Sequence, residues 1–68
     1  MKSISGKRLC RLLENRDWQL KKINGSHHVY MKAGRRERIS VPVHGNTDLK
    51  IGLLKAIMGA VGIEEDEL

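Results

Sequence analysis

The sequence predicts an α+β fold of the order αβββα, a two-layer sandwich in which two helices cover one face of a three-stranded antiparallel sheet. Apolar residues recur at helical spacing in two segments, one near each end of the chain. Three short runs of strand-forming residues lie between them, each bounded by turn signals. The turns are too short for a parallel crossover, so neighbouring strands are antiparallel. A chain of 68 residues has room for one small core only.

The first helix is predicted over residues 6–15. Ser5 is the expected N-cap, because its hydroxyl can accept a backbone N–H of the next turn. With that cap, Ile4 and Leu9 have the spacing of a hydrophobic staple. An apolar stripe continues from Leu9 through the next turn of the helix.

The three strands are predicted over residues 18–23, 28–32 and 38–41. Turn sequences at 24–26 and 33–36 separate them. The proline after the third strand cannot donate a hydrogen bond to the ladder, so it closes that strand.

The second helix is predicted over residues 50–61, after a loop at 43–48. Gly62 is well placed as the left-handed residue that ends this helix. Residues 1–63 thus form a single domain. The acidic segment 64–68 has no apolar period, and we expect it to be a mobile tail.

The net charge of +5 is distributed unevenly along the chain. Four of the 8 acidic residues lie in the last five positions, so residues 1–63 carry 13 basic against 4 acidic side chains, a net charge of 13 − 4 = +9. Such a body attracts polyanions, although a basic face can also serve solubility alone. The side chains predicted to bind the polyanion are Lys21, Lys22, Ser26, His28, Lys32, Arg35, Arg36 and Arg38.

Several classes of protein are disfavoured by composition. Cys10 is the only cysteine, which excludes an internal disulfide and a four-cysteine zinc site. No carboxylate pairs with a histidine at helical spacing, so we predict no metal or other cofactor. The N-terminus lacks the apolar run of a signal peptide, and no stretch approaches the roughly 20 apolar residues of a membrane span. We expect a soluble cytoplasmic protein without a membrane partner.

The segment Gly25–His28 carries two adjacent histidines where one strand ends and the next begins. Val29 and Met31 should face the helices, and strand alternation then places His27 on the same side, at the rim of the sheet. His28 then points with Tyr30 to the open face, so the two histidines cannot act on one atom. His27 is either an acid–base catalyst or a satisfied structural histidine.

RNA is the natural substrate for so sparse a site, because its 2′-hydroxyl is a built-in nucleophile. The protein need only move protons and stabilise the charged phosphate, and one histidine with nearby cations can supply much of that. Other nucleophiles have little support. Cys10 sits beside leucines as a small hydrophobe, and Ser26 lacks a third group to orient a base. His44 is either a loop histidine, the commoner case, or a second catalyst.

The residues also match a known family: over residues 3–63 the chain resembles the HicA toxins, which are small bacterial mRNA interferases. The motifs that carry the resemblance are Ser5–Lys7, Trp18, Gly25–His28, Tyr30, Val41–Asn46, Leu49–Lys50 and Gly52. Ile51 departs from the family pattern, in which many members have proline, and the acidic tail is not part of it.

The resemblance implies a fold like that of double-stranded RNA-binding domains. It also implies the toxin of a type II toxin–antitoxin system, a metal-independent endoribonuclease that cleaves mRNA with one histidine. That histidine is the first after Gly-Ser, which is His27. The implied partner is a HicB-type antitoxin that covers the active site, and operator DNA is bound indirectly, through the antitoxin.

Two alternatives to a nuclease remain at the level of sequence. A non-catalytic RNA-binding module fits the charge, but such modules carry a lysine cluster at the start of the last helix, where this chain offers only Lys50 and Lys55. An interaction protein that works only inside a complex is the other. We also hypothesise that the tail at 64–68 folds back on the basic face and weakens RNA binding.

Overall fold

The computed structural model describes all 68 residues, and its elements follow the predicted αβββα order. They are α1 (Gly6–Asn15), β1 (Gln19–Asn24), β2 (His27–Met31), β3 (Ile39–Pro42), α2 (Ile51–Val61) and a short 3-10 helix (Glu65–Glu67). The first helix begins and ends where predicted. Each strand is displaced by one residue from its predicted range, and α2 begins one residue later than predicted.

Both predicted helix caps are confirmed. The Ser5 hydroxyl accepts the backbone N–H of Arg8 at 3.1 Å. At the end of α2, Gly62 adopts a left-handed φ of 80° and its N–H donates to the Met58 carbonyl at 2.8 Å. Neither helix has the length and apolar character that a bilayer crossing requires.

The sheet has the strand order β1-β2-β3, and both pairings are antiparallel. Tyr30 lies opposite Leu20 on one side and Ile39 on the other, while His28 lies opposite Val41. Residues directly opposite each other share a face of the sheet, so these five side chains project to the same side.

A single core of 14 buried side chains joins the two layers. Its members are Ile4, Leu9, Cys10, Leu13, Trp18, Tyr30, Ile39, Val41, Leu49, Leu54, Ile57, Met58, Val61 and Ile63. Because both helices and one face of the sheet supply them, the predicted sandwich is confirmed, and the other face of the sheet is left open.

The prediction of which β2 side chains point towards the helices is wrong. Tyr30 is only 1% exposed, and its hydroxyl donates to the Glu14 carboxylate on α1 at 2.6 Å. Since side chains alternate along a strand, His28 shares the helix side with Tyr30, and His27 projects with Val29 to the open face. Tyr30 occupies the core in place of the predicted Val29, because its aromatic ring buries more apolar area than the valine side chain and its hydroxyl reaches a hydrogen-bond acceptor.

The start of α1 packs directly on the end of β3. A Cβ added at Gly6 would collide with the carbonyl oxygen of Pro42 and would lie 3.3 Å from the Cα of Val43. The chain just before α1 is also tied down, because the Ile4 carbonyl accepts the N–H of Leu49 at 2.8 Å. Helix α1 therefore fixes the position of the segment that follows β3.

The acidic tail lies against α1. Its 3-10 helix ends beside α1, where Arg8 donates to the Leu68 carbonyl and Arg16 pairs with Glu67. Leu68 also packs against the core. The tail thus lies on α1 and not on the open face of the sheet, where we hypothesised it would fold back.

Candidate active site

His27 stands at the first position of β2 with an exposed side chain on the open face of the sheet. Its Nδ1 lies 3.2 Å from the hydroxyl of Ser40 on β3, at hydrogen-bonding distance. Ser40 can reach the ring because it lies opposite Val29, two residues along β2 on the same face. The second ring nitrogen, Nε2, makes no hydrogen bond within the protein. The imidazole is therefore held at one nitrogen and open to an incoming molecule at the other.

A tight turn positions this histidine. Gly25 has a left-handed φ of 64°, which glycine adopts without steric cost, and the chain reverses there between β1 and β2. The following residue, Ser26, accepts the backbone N–H of Val43 on its carbonyl at 2.8 Å. The start of β2 is thereby joined to the segment beyond β3.

His44 belongs to the same end of the sheet. It is exposed, and its Nε2 lies 3.3 Å from the Ser26 hydroxyl, so a second imidazole stands next to the residue that precedes His27. The sequence favours a loop histidine at this position over a second catalyst. The signal that could have found it is the register of the hairpin, in which His27 pairs with Pro42, two residues before His44.

Basic side chains border the open face beside the histidine. Lys21, Lys22 and Arg38 line a groove of about 260 Å³ with the apolar side chains of Val29 and Met31. Consecutive residues of a strand normally face opposite sides, but the ladder is irregular between residues 20 and 22, as in a β-bulge. This irregularity lets two successive lysines reach one groove, on the face that carries His27.

Arg35, in contrast, is held by the protein itself. Its guanidinium lies 5.7 Å from the centre of the Trp18 ring and donates to Glu37 and to the Ala60 carbonyl, each at 2.9 Å. The hydrogen bond from Arg35 lowers the pKa of Glu37 to about 2 and raises the pKa of the guanidinium. Arg35 thus links the β2–β3 connection to α2, and its charge is already paired.

The other predicted polyanion ligands lie away from the histidine. His28 lines a cleft of about 290 Å³ on the helix side, together with Tyr30 and Cys10. Lys32 and Arg36 follow the far end of β2. The structure thus brings Lys21, Lys22 and Arg38 to the face of His27, places Ser26 at the turn, and leaves the remainder elsewhere.

Most of the chain matches a known protein family. A family model described as the HicA toxin of bacterial toxin-antitoxin matches residues 6–63. The chain belongs to the HicA toxin family. No curated protein sequence matches it significantly.

Membership of the HicA family confirms the resemblance that the motifs indicate. This HicA toxin is one component of a toxin–antitoxin system, so an antitoxin partner is implied. The matched span includes both exposed histidines, both hydroxyls that hold them and the groove lysines. It leaves out the acidic tail, which the structure places on α1.

Proposed function

We propose that this HicA toxin is a metal-independent endoribonuclease that cleaves mRNA and that His27 is its catalytic acid–base residue. One observation carries the proposal: the His27 ring is fixed at Nδ1 by Ser40, while its free Nε2 opens onto the face that carries the basic groove. Histidine exchanges protons readily near neutral pH, which suits it to this work.

The chemistry needs little from the protein. The 2′-oxygen of one nucleotide attacks the adjacent phosphorus as it loses its proton, and the bond to the 5′-oxygen breaks. The products are a 2′,3′-cyclic phosphate and a free 5′-hydroxyl. A positioned imidazole can move a proton in this step, and cations such as Lys22 and Arg38 can attract the phosphate backbone.

Neutralisation by a HicB-type antitoxin fits the same surface. The ring of His27 is exposed on the open face of the sheet, so a partner protein can cover it without entering a deep cavity. We propose that the antitoxin acts in this way and that it also supplies the contacts of the pair to operator DNA.

The test is induced expression of the intact toxin and of His27→Ala, with growth and total mRNA followed after induction. We expect growth arrest and loss of mRNA with the intact chain, and normal growth with His27→Ala present as a soluble, folded protein. Lys55→Ala is the matched control, because it removes an exposed charged side chain from α2 and should remain toxic.

The alternative of a non-catalytic RNA-binding module makes the opposite prediction. A binder tolerates His27→Ala, since the groove lysines are intact. Equal toxicity of the intact chain and of folded His27→Ala, without RNA fragments in either culture, would reject the nuclease.

A further inference from the structure

Two imidazoles at one end of the sheet are held in parallel ways. His27 is tied through Nδ1 to the hydroxyl of Ser40 at 3.2 Å, and His44 is tied through Nε2 to the hydroxyl of Ser26 at 3.3 Å. In each ring the other nitrogen makes no hydrogen bond within the protein. Both side chains are exposed, so both free nitrogens can meet a substrate.

The backbone keeps these two histidines close together. His27 pairs with Pro42 across β2 and β3, and the Ser26 carbonyl accepts the N–H of Val43. His44 is the next residue of the chain. The collision that any Cβ at Gly6 would meet shows how tightly α1 packs against this stretch, so its position is not that of a free loop.

A second recess begins where His44 stands. Pro42 and His44 line a cleft of about 250 Å³ whose other side includes Lys50. The groove that holds Lys21, Lys22 and Arg38 lies on the sheet face itself. Basic side chains therefore stand both on the sheet face of His27 and in the cleft beside His44, which Asp48 also lines.

RNA cleavage by the 2′-oxygen requires proton transfer at two places. The attacking 2′-oxygen and the departing 5′-oxygen lie on opposite sides of the phosphorus in an in-line displacement. One imidazole next to the 2′-oxygen cannot reach the 5′-oxygen in the same step. A second group of similar acidity is therefore needed on the side of the leaving nucleotide.

We propose that His44 is this second catalytic residue, which donates a proton to the departing 5′-oxygen while His27 accepts the proton of the 2′-hydroxyl. The inference rests on the proposed RNA cleavage. One proton enters the protein at His27 and one leaves it at His44, so the step is balanced. Ser26 acts as a positioning residue, because its hydroxyl fixes the ring of His44.

The experiment compares two RNAs that differ in one atom. The position of a cut is first mapped on a long single-stranded RNA with the intact toxin. A short RNA of that sequence is then made with the ordinary 5′-oxygen or with sulfur in its place at the cut. A thiolate leaves without being protonated, so the sulfur RNA does not need a general acid.

We expect His44→Ala to cleave the ordinary RNA about 10²–10⁴-fold more slowly than the intact toxin, the usual contribution of a general acid. On the sulfur RNA, the same variant should cleave at close to the intact rate. His44→Gln should behave like His44→Ala on both RNAs, because its amide can still form a hydrogen bond with Ser26 but cannot supply the proton. His27→Ala should be slow on both RNAs, and circular dichroism checks that each variant is folded.

The outcomes separate the inference from the proposal on which it rests. Intact rates for His44→Ala and His44→Gln on ordinary RNA would overturn the role of His44 and leave the nuclease standing. Slow cleavage of both RNAs by His44→Ala, or rescue of His27→Ala by sulfur instead, would overturn the assignment of the acid. Full activity of His27→Ala would reject the catalytic role of His27, and failure of the intact toxin to cut any RNA would reject the proposed function itself.

Discussion

At the scale of single residues, Tyr30 decides which histidine projects to the open face of the sheet. Its ring is buried in the core, and burial together with the hydrogen bond to Glu14 raises the pKa of its hydroxyl. The phenol therefore stays protonated and donates at physiological pH. Because a strand alternates strictly, fixing Tyr30 on the helix side sends His27 to the open face and His28 to the cleft.

Removal of the Tyr30 hydroxyl tests this anchor. Tyr30→Phe keeps the ring in the core but loses a hydrogen bond to a charged acceptor, so the free energy of unfolding should fall by about 1–2 kcal/mol. Urea denaturation followed by circular dichroism measures the change. Glu14→Gln retains an acceptor for the Tyr30 hydroxyl, so it should lower the free energy of unfolding by less than Tyr30→Phe does. Equal stability of Tyr30→Phe and the intact chain would show that the hydroxyl does not anchor the strand.

At the scale of elements, the start of α1 supports the end of the sheet that carries the candidate site. The fit between Gly6 and the Pro42 carbonyl leaves no space for a side chain, so the helix and the end of β3 are in direct backbone contact. The stretch that carries His44 follows immediately. Stability of the α1–β3 junction and geometry of the candidate site are therefore linked.

Gly6→Ala should lower the free energy of unfolding by about 1–3 kcal/mol, the usual cost of forcing atoms into a filled space. The matched control is Gly59→Ala in α2, where an added Cβ meets nothing within 4 Å. That change should stabilise the chain by about 0.5–1 kcal/mol, because alanine is the better helix residue. Denaturant unfolding of both variants checks the opposite signs, and a neutral Gly6→Ala would contradict the tight junction.

The elements also show what the sequence can predict and what it cannot. The helices were predictable because Ser5, Gly62 and the apolar stripe are local signals. The face of β2 was not, since His-His-Val-Tyr-Met places apolar residues at both parities. Tyr30 is favoured as the core residue only by its contact with Glu14, which is distant in the chain. The sequence makes His27 a candidate because it stands where one strand ends and the next begins, but it predicts the wrong face for this side chain, and Ser40 and His44 join His27 only through the hairpin register.

At the scale of the whole molecule, the distribution of charge separates two surfaces. The acidic tail pairs with α1, where Arg16 bonds to Glu67 and Arg8 to the terminal Leu68. The basic groove on the sheet carries no such partner. The tail therefore stabilises the fold at α1 and leaves the face of His27 available to a polyanion.

The tail contact makes stability depend on pH. The hydrogen bond from Arg16 lowers the pKa of Glu67 below its ordinary value of 4.5, so this carboxylate stabilises the folded state when it is ionised. That contribution is fully present above pH 4.5 and is lost as the pH falls through the lower, folded value. Because the pair is exposed at the surface, the effect is small and is screened by salt.

Glu67→Gln should therefore be less stable than the intact chain at pH 7, and the difference should shrink at pH 3, below the ordinary pKa of the carboxyl group. Urea unfolding at both pH values, in low salt, measures the difference. Glu65→Gln is the matched control, because it removes the same charge from the same 3-10 helix without touching Arg16, and it should change stability less at pH 7. A difference that persisted unchanged at pH 3 would show that ionisation of Glu67 is not its cause. Equal stability of Glu67→Gln and the intact chain at both pH values would show that the tail is held by packing of Leu68 and not by this ion pair.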